Sequence, residues 1–252
     1  MEFNFSGKSV LVTGSSRGIG KEIAKQFIDN DAEVVLNGIN SENLNKVTHE
    51  FKIEKKFAIK ADVTQFEQAQ KLLKEAEILM KKIDIIICNV GSGDSVKPGE
   101  EDYSEWQRVF HRNLWSTTNI VEAGRSALKK TRGIFICISS ICGHEVIENA
   151  PITYSTAKSA LNFYIKAISK PLSKDNIRIN GVSPGNVLFK GSSWEEKIRR
   201  NPNLYDLTLK DVPLKRFGTV NDIAKMCLWI ASDNAAFCNG SIVVVDGGQL
   251  KT

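Results

Sequence analysis

The stretch Lys8–Gly20, KSVLVTGSSRGIG, decides the fold because an apolar run, a glycine-rich turn and a helix start follow one another directly. Lys8–Val12 is predicted to be a buried strand. Gly18–Asn30 is predicted to be a helix, since its apolar residues recur at helical spacing. The glycines allow a tight turn and a close approach of the backbone to a phosphate, while the helix start offers free N–H groups. A turn without a ligand would use the same residues, but the strand before it and the helix after it favour nucleotide binding.

The rest of the chain repeats this alternation of short apolar runs and amphipathic segments. Further strands are predicted at Glu33–Asn37, Lys56–Lys60, Ile83–Asn89, Gly133–Ser139, Asn176–Val182 and Ser241–Val245. Further helices are predicted at Glu42–Phe51, Gln65–Met80, Asp102–Lys130, Ile152–Leu172 and Asn221–Ser232. This order predicts an α/β fold, a Rossmann-type doubly wound parallel sheet of about seven strands with helices on both faces. Residues 1–252 form one predicted domain, and the aperiodic segment 186–219 is its predicted substrate lid.

The composition argues against several classes of protein. The net charge is only +5 over 252 residues and no run of five basic residues occurs, so nucleic acid is not an expected partner. Five cysteines without a C-x-x-C pair and three scattered histidines argue against disulfides and a metal site. The amino terminus lacks a signal-peptide pattern, and no apolar run approaches the ~18 residues that a membrane span needs. We therefore expect a cytoplasmic protein without membrane association that acts on a small molecule.

A second motif, Tyr154-Ser-Thr-Ala-Lys158, lies at the start of a predicted helix. Its i,i+4 spacing puts Tyr154 and Lys158 on one helix face. A nearby lysine cation favours the phenolate and lowers the tyrosine pKa, which gives a tunable general acid or base. Such a pair alone is usually a surface pair, but Ser140 follows predicted strand five, where active groups of open α/β sheets gather. Ser140 could equally be a turn or N-cap serine.

Together with Asn113 in the long predicted helix, these residues resemble the single-domain branch of the short-chain dehydrogenase/reductase family. The resemblance covers nearly the whole chain and is greatest to bacterial 3-oxoacyl-reductase-like members. Its motifs are Thr13–Gly20, Asp62-Val63, Asn89-Val90-Gly91, Asn113, Ser140, Tyr154 with Lys158, Pro184-Gly185 and Asp246–Gly248.

The resemblance implies a role for each matching residue. Tyr154 would exchange a proton with the substrate oxygen, Ser140 would hydrogen-bond that oxygen, and Lys158 would lower the Tyr154 pKa and hold the nicotinamide ribose. Asn113 would hold a water that links Lys158 to solvent. The implied cofactor-binding residues are Gly14, Ser16, Arg17, Gly18, Ile19, Gly20, Asn37, Asp62, Val63, Asn89, Gly91, Tyr154, Lys158, Pro184, Gly185 and Val187.

Three positions depart from the family pattern. Val90 stands where the family usually has a smaller alanine, and the Ser140-to-Tyr154 loop is longer than expected by one residue. The segment after Pro184-Gly185 reads Asn-Val-Leu-Phe and lacks the threonine that often contacts the nicotinamide carboxamide. That contact is expected to be missing or replaced.

The cofactor preference is predicted from the end of the second strand. NAD-preferring enzymes usually carry an acid there to bond the ribose 2′-hydroxyl, and this chain has Asn37. Arg17 in the glycine turn suits a 2′-phosphate, because guanidinium matches phosphate geometry. No second basic residue follows strand two, and Arg17 could be a solvated loop cation. We expect NADP(H) to be favoured over NAD(H).

The combined prediction is NADPH-dependent reduction of a ketone to a secondary alcohol. The substrate stays open among 3-oxoacyl thioesters, keto sugar precursors, steroid-like ketones and small aliphatic ketones. Alternatives are an NAD-dependent alcohol dehydrogenase, a non-enzymatic nucleotide-binding scaffold, and a sugar-nucleotide epimerase of the extended branch, whose glycine spacing and length differ. The resemblance also implies a homotetramer, or a dimer, that assembles through the two long helices.

Overall fold

Residues 3–251 are described in a computed structural model, so residues 1, 2 and 252 of the predicted domain lie outside the described residues. The strands are β1 (Ser9–Val12), β2 (Glu33–Gly38), β3 (Ala58–Lys60), β4 (Ile85–Cys88), β5 (Ile134–Ile138), β6 (Arg178–Pro184) and β7 (Ile242–Val245). The helices are α1 (Gly18–Asp29), α2 (Ser41–Phe51), α3 (Phe66–Met80), α4 (Tyr103–Phe110), α5 (Ser116–Thr131), α6 (Ile152–Ser173), α7 (Ser193–Arg200), α8 (Asn203–Lys210) and α9 (Val220–Ala231).

The seven strands form one sheet in the order β3-β2-β1-β4-β5-β6-β7, and every neighbouring pair is parallel. The strand order reverses between β1 and β4, which leaves a crevice at the carboxyl ends of these two strands. Such a switch point is where open α/β sheets bind ligands. The predicted doubly wound fold is confirmed.

Helices cover both faces of the sheet, as the unbroken apolar strands predicted. Leu11 and Val35 belong to a core shared with α3, α5 and α6. Val10, Val12 and Leu36 belong to a second core shared with α1, α2 and α9. Alternate residues of β1 therefore enter opposite cores, because successive side chains of a strand point to opposite faces.

Three predicted segments differ from the structure. The predicted helix 102–130 is broken into α4 and α5 by a π-helical turn, His111–Trp115. The predicted aperiodic lid contains the two short helices α7 and α8. The sequence of α7, SWEEKIRR, is mostly charged, so it lacks the apolar periodicity by which a helix is predicted. Strand β3 is shorter than predicted, because a 3₁₀ turn takes Lys55–Phe57.

Among the described residues all five cysteines are free, and Cys88, Cys137 and Cys227 are buried. The described part of the chain holds no group of three or more side chains suited to a metal ion. Within residues 3–251, no helix combines the length and the apolar character that crossing a bilayer requires.

Candidate active site

Hydrogen bonds join the residues that follow β1 and β4 at the switch point of the sheet. The Thr13 hydroxyl donates to the Ile87 carbonyl oxygen at 3.0 Å and accepts from the Asn89 backbone N–H at 3.0 Å. The Asn89 side-chain amide donates to the carbonyl oxygens of Thr13 and Gly14, at 3.0 and 3.1 Å. Asn89 thus holds the backbone of the glycine turn in place, and both hydrogens of its side-chain amide donate to carbonyl oxygens of the protein.

The amino end of α1 carries unused hydrogen-bond donors. Helix α1 begins at Gly18, and Arg17 precedes it with extended backbone and no side-chain cap. Within the described chain, the backbone N–H groups of Gly18 and Ile19 donate to no carbonyl oxygen. Free N–H groups and the positive end of the helix dipole suit a diphosphate. The glycine turn therefore fits the phosphates of a dinucleotide.

The prediction that Asn37 binds the cofactor is not supported by the contacts of its side chain. Asn37 is buried, its side-chain nitrogen donates to the carbonyl oxygens of Ile59 and Ala61, and its side-chain oxygen accepts from the Gly14 N–H. Its amide is committed to tying β2 to β3 and to the glycine turn. The sequence pattern missed this because it gave strand β2 an end one residue too early.

Gly38, the last residue of β2, is the residue that faces the turn. A Cβ atom placed on Gly38 would lie 3.3 Å from the Ser16 hydroxyl oxygen, so this position adjoins Ser16 and the neighbouring Arg17. Arg17 is exposed, and within residues 3–251 its side chain forms no ion pair or hydrogen bond. A group bound beside Ser16 would meet this free cation and no carboxylate at position 38.

Asp62 and Val63 follow β3 at the same edge of the sheet. The Asp62 side chain accepts hydrogen bonds from the Thr64 N–H and hydroxyl, at 3.0 and 2.7 Å. The buried Val63 gives its carbonyl oxygen to the Asn119 side chain at 3.1 Å. These contacts fix the turn that leads into α3, and the sequence placed both residues at the correct edge.

The predicted catalytic residues converge at the carboxyl ends of β4 and β5. Lys158 is buried, and its ammonium donates to the Ile138 carbonyl oxygen at 2.9 Å, 5.8 Å from the centre of the Tyr154 ring. A Cβ atom placed on Gly91 would lie 2.9 Å from Asn113 Oδ1 and 3.1 Å from Lys158 Nζ. A side chain at position 91 would therefore crowd the two polar groups, and glycine leaves room for both.

Asn113 lies in the π-helical turn between α4 and α5 and is almost fully buried. Its side-chain oxygen accepts from the Ser92 N–H at 2.9 Å, and its nitrogen donates to the carbonyl oxygens of Ser92 and Val109. The residue thereby clamps the loop that follows β4. π-Helical turns occur often at functional sites, and this one aims Asn113 toward Lys158.

Ser140 is buried next to the catalytic pair and also has the structural role that the sequence left open. Its hydroxyl oxygen accepts from the Cys142 N–H at 3.2 Å and caps the 3₁₀ turn Ile141–Gly143. The Cys142 thiol interacts with Ser140, and burial raises the pKa of that thiol. Cys142 is a neighbour of Ser140 that no motif indicated.

Burial shifts the pKa values of both residues of the pair. Burial lowers the pKa of Lys158 from 10.5 to about 8. Burial raises the pKa of Tyr154 above its ordinary value, and a hydrogen bond with Ser140 acts in the opposite direction. Desolvation of the phenol therefore outweighs the hydrogen bond with Ser140, and a lowering of the Tyr154 pKa by Lys158 stays a prediction. Tyr154 is held in the protonated form.

The segment after β6 begins at the same edge. Pro184 is buried and ends the strand, and the Gly185 N–H donates to the Val245 carbonyl oxygen at 2.9 Å. The buried Val187 pairs with Gly218 in a parallel bridge, so both ends of the 186–219 segment are pinned together. The segment projects from this bridge as a closed excursion that carries α7 and α8.

An ionic network that the sequence did not indicate supports Tyr154. Glu105 on α4 accepts from Nε and Nη2 of Arg108, each at 2.7 Å, and from the Ser95 hydroxyl at 2.7 Å. The Ser95 and Thr153 hydroxyl oxygens are 2.6 Å apart, and Thr153 immediately precedes Tyr154. Since Ser95 gives its hydrogen to Glu105, Thr153 donates to Ser95. The sequence could not predict this network, because its residues come from three separated segments of the chain.

Comparison with known proteins finds relatives along nearly the whole chain. A family profile described as Enoyl-(Acyl carrier protein) reductase matches residues 14–249. The chain belongs to the short-chain dehydrogenase/reductase family. It is 33% identical over 249 residues to the 3-oxoacyl-[acyl-carrier-protein] reductase FabG of Chlamydia trachomatis serovar D, covering 96% of this chain and 97% of the relative. It is 29% identical over 249 residues to the 7alpha-hydroxysteroid dehydrogenase of Escherichia coli (strain K12), covering 97% and 95%.

Solved structures agree with the same assignment. A 7alpha-hydroxysteroid dehydrogenase complexed with NADH and 7-oxo glycochenodeoxycholic acid is 27% identical and superimposes with a TM-score of 0.88, covering 100% of this chain and 97% of that chain. A short-chain dehydrogenase/reductase from Caenorhabditis elegans with cofactor is 26% identical, with a TM-score of 0.89 and coverage of 97% and 96%. This short-chain dehydrogenase/reductase is therefore an oxidoreductase of a family that binds NAD(P)(H) and acts on small molecules.

Proposed function

We propose that the protein reduces a ketone to a secondary alcohol, with a hydride supplied by NADPH. The observation that carries the proposal is the meeting of Tyr154, Lys158, Ser140 and Asn113 beside a glycine turn with free N–H groups. Hydride addition to a carbonyl carbon leaves charge on the oxygen, which then needs a proton. A tyrosine kept protonated by burial is suited to supply it.

In the proposed mechanism each residue has one task. The substrate carbonyl oxygen accepts hydrogen bonds from the hydroxyls of Tyr154 and Ser140. NADPH, when bound, would supply the hydride that the carbonyl carbon receives. The Tyr154 O–H bond breaks as the new O–H bond of the alcohol forms, and the Lys158 ammonium stabilises the phenolate that is left. Asn113 keeps the loop after β4 in place, so that this loop can lie along the cofactor.

The cofactor is proposed to follow the carboxyl edge of the sheet. Its diphosphate would bind the N–H groups at the start of α1, and its 2′-phosphate would bind Arg17 and Ser16 above Gly38. The adenine would lie against Asp62 and Val63, and the nicotinamide carboxamide would meet the Val187 backbone. The absence of a carboxylate at position 38 supports NADP(H) over NAD(H).

Two other functions are alternatives to ketone reduction. A structural relative is complexed with NADH, which favours NAD-dependent alcohol oxidation as the second candidate. A non-enzymatic scaffold would bind the nucleotide without turnover. The intact Tyr154 and Lys158 pair supports an enzyme over a scaffold.

The surroundings of the site are proposed to complete the enzyme. The 186–219 segment would act as the substrate lid, in a protein that works in the cytoplasm. Helices α4 to α6 expose large apolar side chains, and they would form the interface of a homotetramer or a dimer. These side chains are Tyr103, Trp115, Ile152 and Phe163. Light scattering of the wild type and of Phe163→Glu would test this assembly, since the variant should yield smaller species.

The proposed function is tested first by cofactor binding, measured as quenching of protein fluorescence by NADPH and by NADH. A charge-assisted hydrogen bond is worth ~1.5–3 kcal/mol, so Arg17→Ala should weaken NADPH binding about 10- to 100-fold and NADH binding little. Lys8→Ala removes a charge at the opposite end of β1 and is the matched control. Equal weakening of both cofactors, or none, would exclude the phosphate clamp.

A carbonyl screen with NADPH then tests the chemistry, with Tyr154→Phe as the variant without the proton donor. Tyr154→Phe should still bind the cofactor and lose at least about 100-fold in kcat, as expected when a general acid is removed. Tight NADH binding with alcohol oxidation would favour the dehydrogenase alternative. Binding without turnover of any carbonyl or alcohol would favour the scaffold.

A further inference from the structure

The aromatic ring of Phe189 lies against the first residue of α1. A Cβ atom placed on Gly18 would be 2.6 Å from both Cε2 and Cζ of this ring, so the ring contacts the backbone of the glycine turn. Phe189 is partly buried and packs against the core that α1 and α9 share. The ring therefore lies against Gly18, the first residue of the helix end whose free N–H groups form the proposed diphosphate site.

The position of this ring is tied to the first lid helix. The Phe189 N–H donates to the Ser192 hydroxyl oxygen at 3.3 Å, and the Ser192 N–H donates to the Phe189 carbonyl oxygen at 2.9 Å. Ser192 is buried and caps α7 through the Glu195 N–H. A displacement of Phe189 would therefore reach the start of α7 through two hydrogen bonds.

We propose that Phe189 competes with the cofactor diphosphate for the amino end of α1, and so sets the cofactor affinity and couples cofactor binding to the lid. The proposal rests on the proposed function, because it requires a dinucleotide at the glycine turn. A phenyl ring and a diphosphate cannot occupy the same space over Gly18. The ring offers no acceptor to the N–H groups of Gly18 and Ile19, whereas phosphate oxygens accept from both.

The size of the effect follows from the population of the open state. When only a fraction of the free protein has the ring displaced, the apparent dissociation constant rises by the reciprocal of that fraction. An open fraction of about one tenth corresponds to a tenfold weaker apparent affinity. Removal of the ring should abolish this factor, and association should become faster by a similar ratio.

The test uses ADP-ribose, which carries the diphosphate without the nicotinamide, and NADPH, with both affinities measured by calorimetry. Phe189→Ala should bind both about five- to tenfold more tightly than the wild type. Leu188→Ala is the matched control, since this partly buried neighbour belongs to the same segment and should change either affinity less than about twofold. Equal or weaker binding by Phe189→Ala would show that the ring is a wall of the cofactor site, and would overturn the proposal.

A measurement on the wild type keeps the test independent of the folding of any variant. Hydrogen exchange of the backbone amides in 189–200 should change when ADP-ribose is added, because the ring and Ser192 move together. Unchanged exchange at saturating ADP-ribose would overturn the proposal even if binding is tight. Absence of ADP-ribose and NADPH binding to the wild type and to Phe189→Ala would instead refute the cofactor site itself.

Discussion

Replacement of Glu105 by glutamine tests whether the network beneath Tyr154 stabilises and positions the active site. Arg108, Ser95 and the Val96 N–H all hydrogen-bond to the Glu105 carboxylate, and they lower its pKa from 4.5 to about 2, with the Arg108 hydrogen bond as the largest cause. Since one pKa unit corresponds to 1.36 kcal/mol, this shift sets an upper bound of about 3.4 kcal/mol. The Arg108 side chain is 40% exposed, so solvent screening reduces the expected value to about 1–2 kcal/mol.

The pH dependence has a definite sign. A carboxyl whose pKa is lower in the folded state stabilises the protein above its unfolded pKa, and this stabilisation is lost as the pH falls toward the folded value. The wild type should therefore exceed Glu105→Gln in unfolding free energy by a constant amount between about pH 5 and 8. The difference should shrink below pH 4.5 and approach zero near pH 2.

The assay is urea unfolding at several pH values, combined with steady-state kinetics. Glu196→Gln is the matched control, because Glu196 also forms ion pairs with arginine but is 43% exposed at its side chain, so its replacement should change the stability much less. Because the network ends at Thr153, Glu105→Gln should also reduce kcat several-fold while the cofactor affinity stays unchanged. A stability loss no larger than that of Glu196→Gln, or one independent of pH below 4.5, would refute this reasoning.

Three further predictions concern the site. The unfolded chain holds the Lys158 proton up to about pH 10.5, whereas the folded chain releases it near pH 8, so protein stability should rise across this window. Lys158→Met should flatten that rise and, after the loss of the Ile138 hydrogen bond, raise the unfolding free energy at pH 7 by about 1 kcal/mol while activity is lost. Gly38→Asp should weaken NADPH binding at least about tenfold and leave NADH binding intact or improved, as titration of both cofactors would reveal. Lys197 lies over Trp194 at 5.0 Å and acts electrostatically on Cys142, and in the described chain it has no carboxylate partner, unlike Arg199 and Arg200. Lys197→Met should therefore raise KM for ketones that carry a carboxylate and leave KM for their methyl esters unchanged, whereas equal changes for both would contradict this assignment.

Much of the site could be predicted because its signals are local in the chain. The strand, turn and helix of Lys8–Gly20 follow from an apolar run, glycines and helical spacing, all within one short stretch. The i,i+4 spacing of Tyr154 and Lys158 likewise places both on one face of α6. Parallel pairing then brings the carboxyl ends of the strands to one edge, which made the placement of Ser140 and Asp62 predictable.

The sequence predicted less where the outcome depended on exact boundaries or on distant neighbours. The predicted end of β2 came one residue too early, so Asn37 was taken for the residue that follows the strand toward the cofactor, a position that Gly38 occupies. The Asn37 side-chain amide instead points inward and forms hydrogen bonds with residues beside β3 and in the glycine turn. The prediction for the Tyr154 pKa considered its charged neighbour and could not include the desolvation that burial imposes.

The sequence alone gives the order of the seven strands and most of the helices, the glycine turn and the candidate catalytic tyrosine and lysine, since each rests on spacing within one segment. Only the tertiary structure decided that Asn113 lies in a π-helical turn against Ser92, that Glu105 supports Thr153, and that Phe189 lies against Gly18. Each of these contacts joins segments far apart in the chain. Packing in the folded protein brings these segments together, and no periodicity along the sequence predicts which distant residues will meet.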